Sequence, residues 1–179
     1  MIIIGVDPGT VVTGFGIVKL NKNQLTYVIQ GAIKPSSRLT LPCKLEVIYN
    51  ELDKYIKIYK PDEFAIESAF YGKNVQSAMK IGYARGVAML AAVHNGLPVS
   101  EYSPREVKKS VVGNGAASKR QVQYMINHIL SLEDKTMLFD ESDALAIATC
   151  HAFRIKSAVP SSKSWKAFIE ANPDRVINN

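Results

Sequence analysis

Four carboxylates in this sequence stand where solubility alone is a poor explanation for an acid. Asp7 closes the apolar run Ile2-Ile3-Ile4-Gly5-Val6-Asp7, and Glu67 closes Glu63-Phe64-Ala65-Ile66-Glu67. Asp140 and Asp143 stand three residues apart at the head of a segment that continues Ala144-Leu145-Ala146-Ile147-Ala148. Each has an ordinary reading. An aspartate before Pro8-Gly9 starts a turn, a glutamate at a strand end is commonly solvated, and acids in a first helical turn suit its free N–H groups and dipole. Together they call for another reason, because carboxylates brought to one edge repel unless a cation or a proton lies between them. Hard oxygen donors with no histidine or thiolate alongside suit Mg2+, which binds through a few carboxylates and completes its shell with water and phosphate oxygens. Two such ions roughly 4 Å apart can activate a water and stabilise the leaving oxygen of a phosphodiester.

The elements around these residues have to bring them to one place. The β-branched run before Asp7 reads as a central strand buried on both faces, ending at the Pro8-Gly9-Thr10 turn. Thr13 to Val18, with glycines where something approaches the backbone, is a second strand, and Asn21-Lys22-Asn23 turns into a third over about residues 25–33. These three make an antiparallel meander. Residues 35–42 read as a polar loop, and Leu45, Ile48, Tyr49, Leu52, Ile56 and Tyr59 follow at helical spacing until Pro61. Glu63–Glu67 is then reached through a helix, so it should lie parallel to the first strand with Glu67 and Asp7 on the same edge.

From Val75 to Asn95 the pattern predicts a long helix ending at Gly96, with Ala78, Gly82 and Gly86 as a ridge of small residues. Its own sheet is the expected neighbour of that ridge, a subunit interface the alternative. Residues 98–102 form a fifth strand. Ser103-Pro104-Arg105-Glu106 and Ser118-Lys119-Arg120-Gln121 are capping boxes that open two further helices, the first ending at Gly113-Asn114-Gly115 and the second burying Val122, Met125, Ile126 and Ile129. The last core helix begins near Asp140. Residues 1–156 are thus expected to form one domain, and 157–179 a polar tail, partly ordered or docked through Trp165, Phe168 and Ile169.

The chain of 179 residues is 47% hydrophobic, enough for one core. Its net charge of +6 is unevenly spread: residues 72–132 hold eight basic side chains against two acidic ones, an excess equal to the whole net charge. Such a stretch favours a polyanionic partner. Cys43 and Cys150 lack metal-like spacing and read as reduced core thiols. No run is long enough for a membrane span and the apolar start is too short for a signal peptide, so a soluble, cytoplasmic protein with no membrane partner is expected.

Ile4-Gly5-Val6-Asp7-Pro8-Gly9, Ala65-Ile66-Glu67, Lys73-Asn74, Ala84-Arg85-Gly86-Val87, Val107-Lys108 with Val111-Val112-Gly113, and Asp140 with Asp143-Ala144-Leu145-Ala146 stand in this order over most of the chain. The set resembles the RuvC Holliday-junction resolvases. That resemblance implies an α/β, RNase H-like fold: a five-stranded mixed sheet, three antiparallel strands then two parallel, flanked by helices. It implies a homodimer whose subunits each nick one of two like-polarity strands of a four-way DNA junction, in recombination and repair, in cooperation with the RuvA and RuvB branch-migration proteins.

Carried over by position, Asp7, Glu67, Asp140 and Asp143 match the family's catalytic, metal-binding acids, holding two Mg2+ per site with Mn2+ able to substitute. Asp7 would bridge the ions, with Glu67 on the leaving-group side and Asp143 on the water side. Lys119 and Lys108 match basic residues at the scissile region. Phe70 resembles the aromatic that stacks on a base at the strand-exchange point, a contact worth about 1–3 kcal/mol; the alternative is an aromatic tucked into the core. Lys73, Lys80, Arg85, Lys109 and Arg120 complete the expected DNA-binding surface.

Three rivals share parts of this pattern. Actin-like ATPases and sugar kinases also open with a strand, an Asp and a glycine turn, but need two such domains where this chain has length for one. A related RNase H-like nuclease acting on RNA or another branched DNA would keep the acids, and a junction-binding module without chemistry would keep only the basic surface.

Overall fold

The computed structural model describes residues 1–22, 24–68, 75–132 and 137–158. Five strands, β1 (Ile2–Asp7), β2 (Thr13–Asn21), β3 (Gln24–Ile33), β4 (Glu63–Glu67) and β5 (Val99–Tyr102), form one sheet in the order β3-β2-β1-β4-β5. β1 pairs with β2, and β2 with β3, antiparallel; β1 with β4, and β4 with β5, run parallel. This is the mixed sheet expected from the chain order. β1 lies at its centre, and the parallel pairing brings the ends of β1 and β4 to one edge.

Alternation along β1 divides the core. Ile3 faces a cluster with Val107, Val111, Val122, Ile126 and Leu145, supplied by α3 (Pro104–Val112), α4 (Lys119–Ile129) and α5 (Phe139–Ala158). Ile4 and Val6 face the opposite cluster with Ile48, Leu52, Ala88 and Ala92, from α1 (Leu41–Tyr59) and α2 (Val75–His94). A fully buried Ile or Leu side chain contributes roughly 1.5–3 kcal/mol, so both layers hold the central strand in place.

The glycines of β1 and β2 serve α5. A Cβ on Gly5 would overlap the carbonyl oxygen of Ala144, and one on Gly14 the carbonyl oxygen of Asp140. Bare backbone at these points lets the first turns of α5 lie directly on the sheet beside Asp7, whose register partner is Gly14. Both expected capping boxes form: Ser103 Oγ accepts from the Glu106 N–H and Glu106 accepts from the Ser103 N–H, with the same exchange between Ser118 and Gln121. Such caps contribute about 1 kcal/mol each and fix where α3 and α4 begin.

Four expectations change. α1 starts at Leu41, because Pro42 occupies its first turn, where the missing N–H costs nothing, rather than closing a loop. β2 runs on to Asn21, past a register shift at Ile17/Val18. Cys43 is exposed on α1, so only Cys150 is a core thiol. The ridge on α2 does not pack on the sheet: nothing lies within 4 Å of where a Cβ on Gly82 or Gly86 would stand, and the helix is instead buried through Ala84, Ala88, Ala91 and Ala92. Trp165 and the rest of the tail from residue 159 lie outside the described residues.

Candidate active site

Asp7, Glu67 and Asp143 line one cleft of about 160 Å3, with Lys108 and Lys119 facing them and Val107 and Val122 forming an apolar wall. Each comes from the end of a different element, β1, β4 and the first turn of α5, and the lysines from α3 and the start of α4. The turn after Asp7 is fastened by a residue that the sequence did not single out. Thr13, fully buried, donates its hydroxyl to the Gly9 carbonyl at 2.7 Å and accepts from the Gly9 N–H at 3.3 Å. The signal was a Thr four residues after Gly9, able to close the loop between β1 and β2 on itself.

Acids opening α5 could have been mere caps. Glu141 takes that work, accepting from the Leu138 N–H at 2.9 Å. That leaves Asp143 to the cleft, while Asp140 does not line it and acts on Asp7 and Lys119 through its charge.

The electrostatics are those of a site with too much negative charge. Burial, together with the charges of Glu67 and Asp143, pushes the Asp7 carboxyl up to about 7, against the opposing pull of Lys119. Burial and then Asp143 push Glu67 up to about 7 as well. Among the described residues Lys119 is the one lysine directly bonded to an acid there, its Nζ 2.6 Å from Asp143 Oδ2. Although burial opposes its charge, the Asp143 hydrogen bond and the surrounding carboxylates hold it above its ordinary value.

Among the described residues no three acidic, imidazole or thiol groups converge into a ready-made cage. The carboxylates meet through their fields across the cleft. An all-oxygen donor set with two acids strained toward protonation fits a hard divalent cation, which would offset the burial of those charges, the larger cause of both raised pKa values, and the repulsion that adds to it.

The remaining candidates are spread more widely. Lys109 lies in a separate groove between α3 and α5, and Arg85 is tied to Glu101 of β5 by an ion pair. Lys80 on α2 and Arg120 in the first turn of α4 are exposed. Phe70 and Lys73 lie outside the described residues.

The family model described as "Crossover junction endodeoxyribonuclease RuvC" matches residues 3–151. A protein of that name from Chloroherpeton thalassium is 44% identical over 99% of this chain and 100% of its own, and one from Salinibacter ruber is 46% identical over 98% and 99%. Among solved structures, T. thermophilus RuvC in complex with Holliday junction substrate superposes with a TM-score of 0.82 at 30% identity, covering 88% of this chain and 96% of that one. The yeast mitochondrial resolvase Ydc2 shares the fold alone, at TM-score 0.59 and 10% identity over 84% of this chain and 78% of that one. The sheet order and the flanking helices are the expected RNase H-like arrangement. With the family model spanning most of the chain and relatives matching it from end to end, the chain belongs to the RuvC family of crossover junction endodeoxyribonucleases.

Proposed function

We propose that the protein is a structure-specific endonuclease that resolves four-way DNA junctions by paired, symmetric nicks in recombination and repair, acting in the cytoplasm. The observation that carries this reading is one cleft in which half-buried acids from three separate elements face two lysines, in a chain of this family. Asp7, Glu67 and Asp143 would hold Mg2+, two ions per site, with Mn2+ as a substitute, and Asp140, which does not line the cleft, would have to turn toward it to join them. Bound there, the ions supply an activated water and a counter-charge for the leaving oxygen.

The chain's own residues do the rest. Lys119 and Lys108 present ammonium groups to the cleft and draw the scissile phosphate in. Lys119 can pass from Asp143 to a phosphate oxygen without leaving the cleft. Val107 and Val122 keep one wall dry, which strengthens the charge interactions inside. Arg120, Lys80 and Lys109, with Lys73 by the family resemblance, would meet the flanking arms, where attraction weakens steeply with salt. Arg85 would reach DNA only by releasing Glu101, and Phe70 would stack on a base at the crossover.

Paired nicking needs two sites. The outward face of α2 carries Val75, Met79, Tyr83, Leu90 and Val93, all exposed, interleaved with Gly82 and Gly86. A second copy laid on that stripe would form the homodimer, and RuvA and RuvB are the partners that the family resemblance implies. Incubating the protein with labelled junction, linear duplex and RNA–DNA hybrid in Mg2+ tests the reading. Paired nicks confined to the junction are expected; cutting of the hybrid or duplex in preference, or no cutting at all, would overturn it.

A further inference from the structure

Just outside the cleft stands an aromatic side chain that neither the acids nor the lysines explain. Phe139 is the first residue of α5 and is 42% exposed, although a phenyl group is ordinarily turned into the core. It stands four residues before Asp143, so the two share one face of the helix a single turn apart, about 6 Å along the axis. Asp143 lines the cleft with 17% of its side chain exposed. Side chains on a helix lean toward its N-terminus, so Phe139 is the next residue met on leaving that carboxylate for solvent.

Three hydrogen bonds fix the backbone that carries this ring. The Met137 carbonyl accepts from Gln123 Nε2 of α4 at 3.0 Å, and the Leu138 N–H donates to Glu141 Oε2 at 2.9 Å. The Phe139 carbonyl accepts from Oγ of the fully buried Ser142, also at 2.9 Å. A ring left in water on a backbone fastened to two helices is preorganised for contact, since less freedom is lost when something covers it.

We infer that Phe139 forms a base-stacking subsite for a nucleotide flanking the scissile phosphate, engaging a base that is unstacked at the crossover. This rests on the proposed function and deepens it. The groups beside the ring suit a phosphate: Lys119 Nζ lies 2.6 Å from Asp143 Oδ2, and Arg120 is exposed next to it on α4. What a phosphate brings with it is a sugar and a flat, partly apolar ring. At about 3.4 Å a step, the 6 Å between Asp143 and Phe139 is within two base steps of the bond to be cut. In an intact duplex both faces of every base are covered by its neighbours. At a crossover the stack is already broken, so turning a base out costs least, and an aromatic face accepts it whichever base it is. The subsite therefore favours a branched substrate over linear duplex without reading its sequence. It is separate from the stacking role that family resemblance gives Phe70.

A double-mutant cycle between ring and base tests this on the full chain. Single-turnover cleavage in Mg2+, at sub-saturating protein, is measured on an intact junction and on junctions made abasic at either nucleotide flanking the scissile phosphate. On the intact junction Phe139→Ala is expected to lower the rate about tenfold. On a junction abasic at one of the two positions the same substitution is expected to change the rate less than about twofold, because the ring there has no base to cover. Phe139→Trp should restore the sensitivity to base removal, whereas Phe139→Leu, apolar without a flat face, should behave as Phe139→Ala does. Should Phe139→Ala lower the melting temperature, Phe139→Leu against Phe139→Trp decides. Equal slowing on intact and abasic junctions would make the ring's role structural and overturn the inference, as would an intact-junction rate that none of the substitutions changes. A parent that cleaves no junction sinks the proposed function and this inference with it; cleavage without coupling between ring and base sinks the inference alone.

Discussion

At the residue scale the cleft is a charge problem that its sequence can state but not quantify. Asp7 and Glu67 have ordinary carboxyl values of 3.8 and 4.5 and stand near 7 in the fold. The folded chain therefore holds more protons than the unfolded one across that interval. The associated stability is fully present below about pH 4 and is lost as pH rises to about 7. Without divalent metal, the melting temperature contributed by this pair should fall between pH 5 and pH 7 and level off above it. Mg2+ should raise it more at pH 8 than at pH 5, because protons compete for the same oxygens. Differential scanning calorimetry with and without Mg2+ checks both slopes; a metal-free melting temperature that climbs through that interval would contradict the account.

Asp7→Asn removes one of the two strained acids. It should raise the metal-free melting temperature at pH 8 by several degrees, on the order of 2 kcal/mol, while abolishing cleavage and leaving junction binding intact. Lost binding with residual cleavage would reverse that reading. Lys119→Ala should slow single-turnover cleavage about tenfold or more and weaken junction binding less than about threefold, since one cation is a small part of a multi-phosphate contact. That Asp7, Glu67 and Asp143 would meet was legible from their positions at strand ends and a helix start, whereas Asp140, expected beside them, does not line the cleft. Thr13 and Glu141 were not legible, because a buried hydroxyl clamp and a cap that frees its neighbours are defined by distances rather than by spacing.

Among the elements, α5 against β1 and β2 decides whether those acids meet at all. The glycines that permit this contact could be read as places of close approach, yet what approached them could not, since the sequence does not say which helix crosses which strand. Gly14→Ala tests the contact. The new methyl would meet the Asp140 carbonyl, backbone that cannot swing aside, so the first turn of α5 must lift from the sheet. Stability should drop by about 2–4 kcal/mol. Mn2+ affinity, read by the free-ion signal in electron paramagnetic resonance, should fall well beyond the loss explained by the unfolded fraction. Unchanged affinity in the folded variant would mean that α5 is not set by this contact.

The capping boxes of α3 and α4 show the opposite case, where sequence suffices, because Ser-x-x-Glu and Ser-x-x-Gln satisfy backbone donors within four residues. The start of α1 was placed too late for an equally local reason: a proline that closes a loop can also open a helix, and only the path of the chain decides between the two.

For the whole molecule the open question is what covers the outer face of α2. A helix buried through alanines on one side and carrying Met79, Tyr83, Leu90 and Val93 exposed on the other is apolar nearly all round, which a solvated helix is not. Gly82 and Gly86 in the middle of that face would let a partner backbone come close, so small and large residues alternate as they do at tightly packed interfaces. A charge placed there should act on assembly and not on the fold. Met79→Glu and Val93→Glu are half or more exposed in the single chain, at 52% and 60%, so each should change the melting temperature of the monomer little. In a dimer the same charges would be buried without a partner, weakening association by about tenfold or more each. Sedimentation velocity should show the parent as a dimer and, at the same concentration, the double variant as a monomer. On a plasmid-borne cruciform, paired cleavage within one complex yields linear product directly, whereas independent nicks accumulate nicked circles first. The double variant should therefore lose linear product while the rate of the first nick, set by a cleft on the other side of the sheet, is limited only by weaker junction binding. Dimers that persist with linear product unchanged would place the subunit contact on a different surface and leave α2 to another partner.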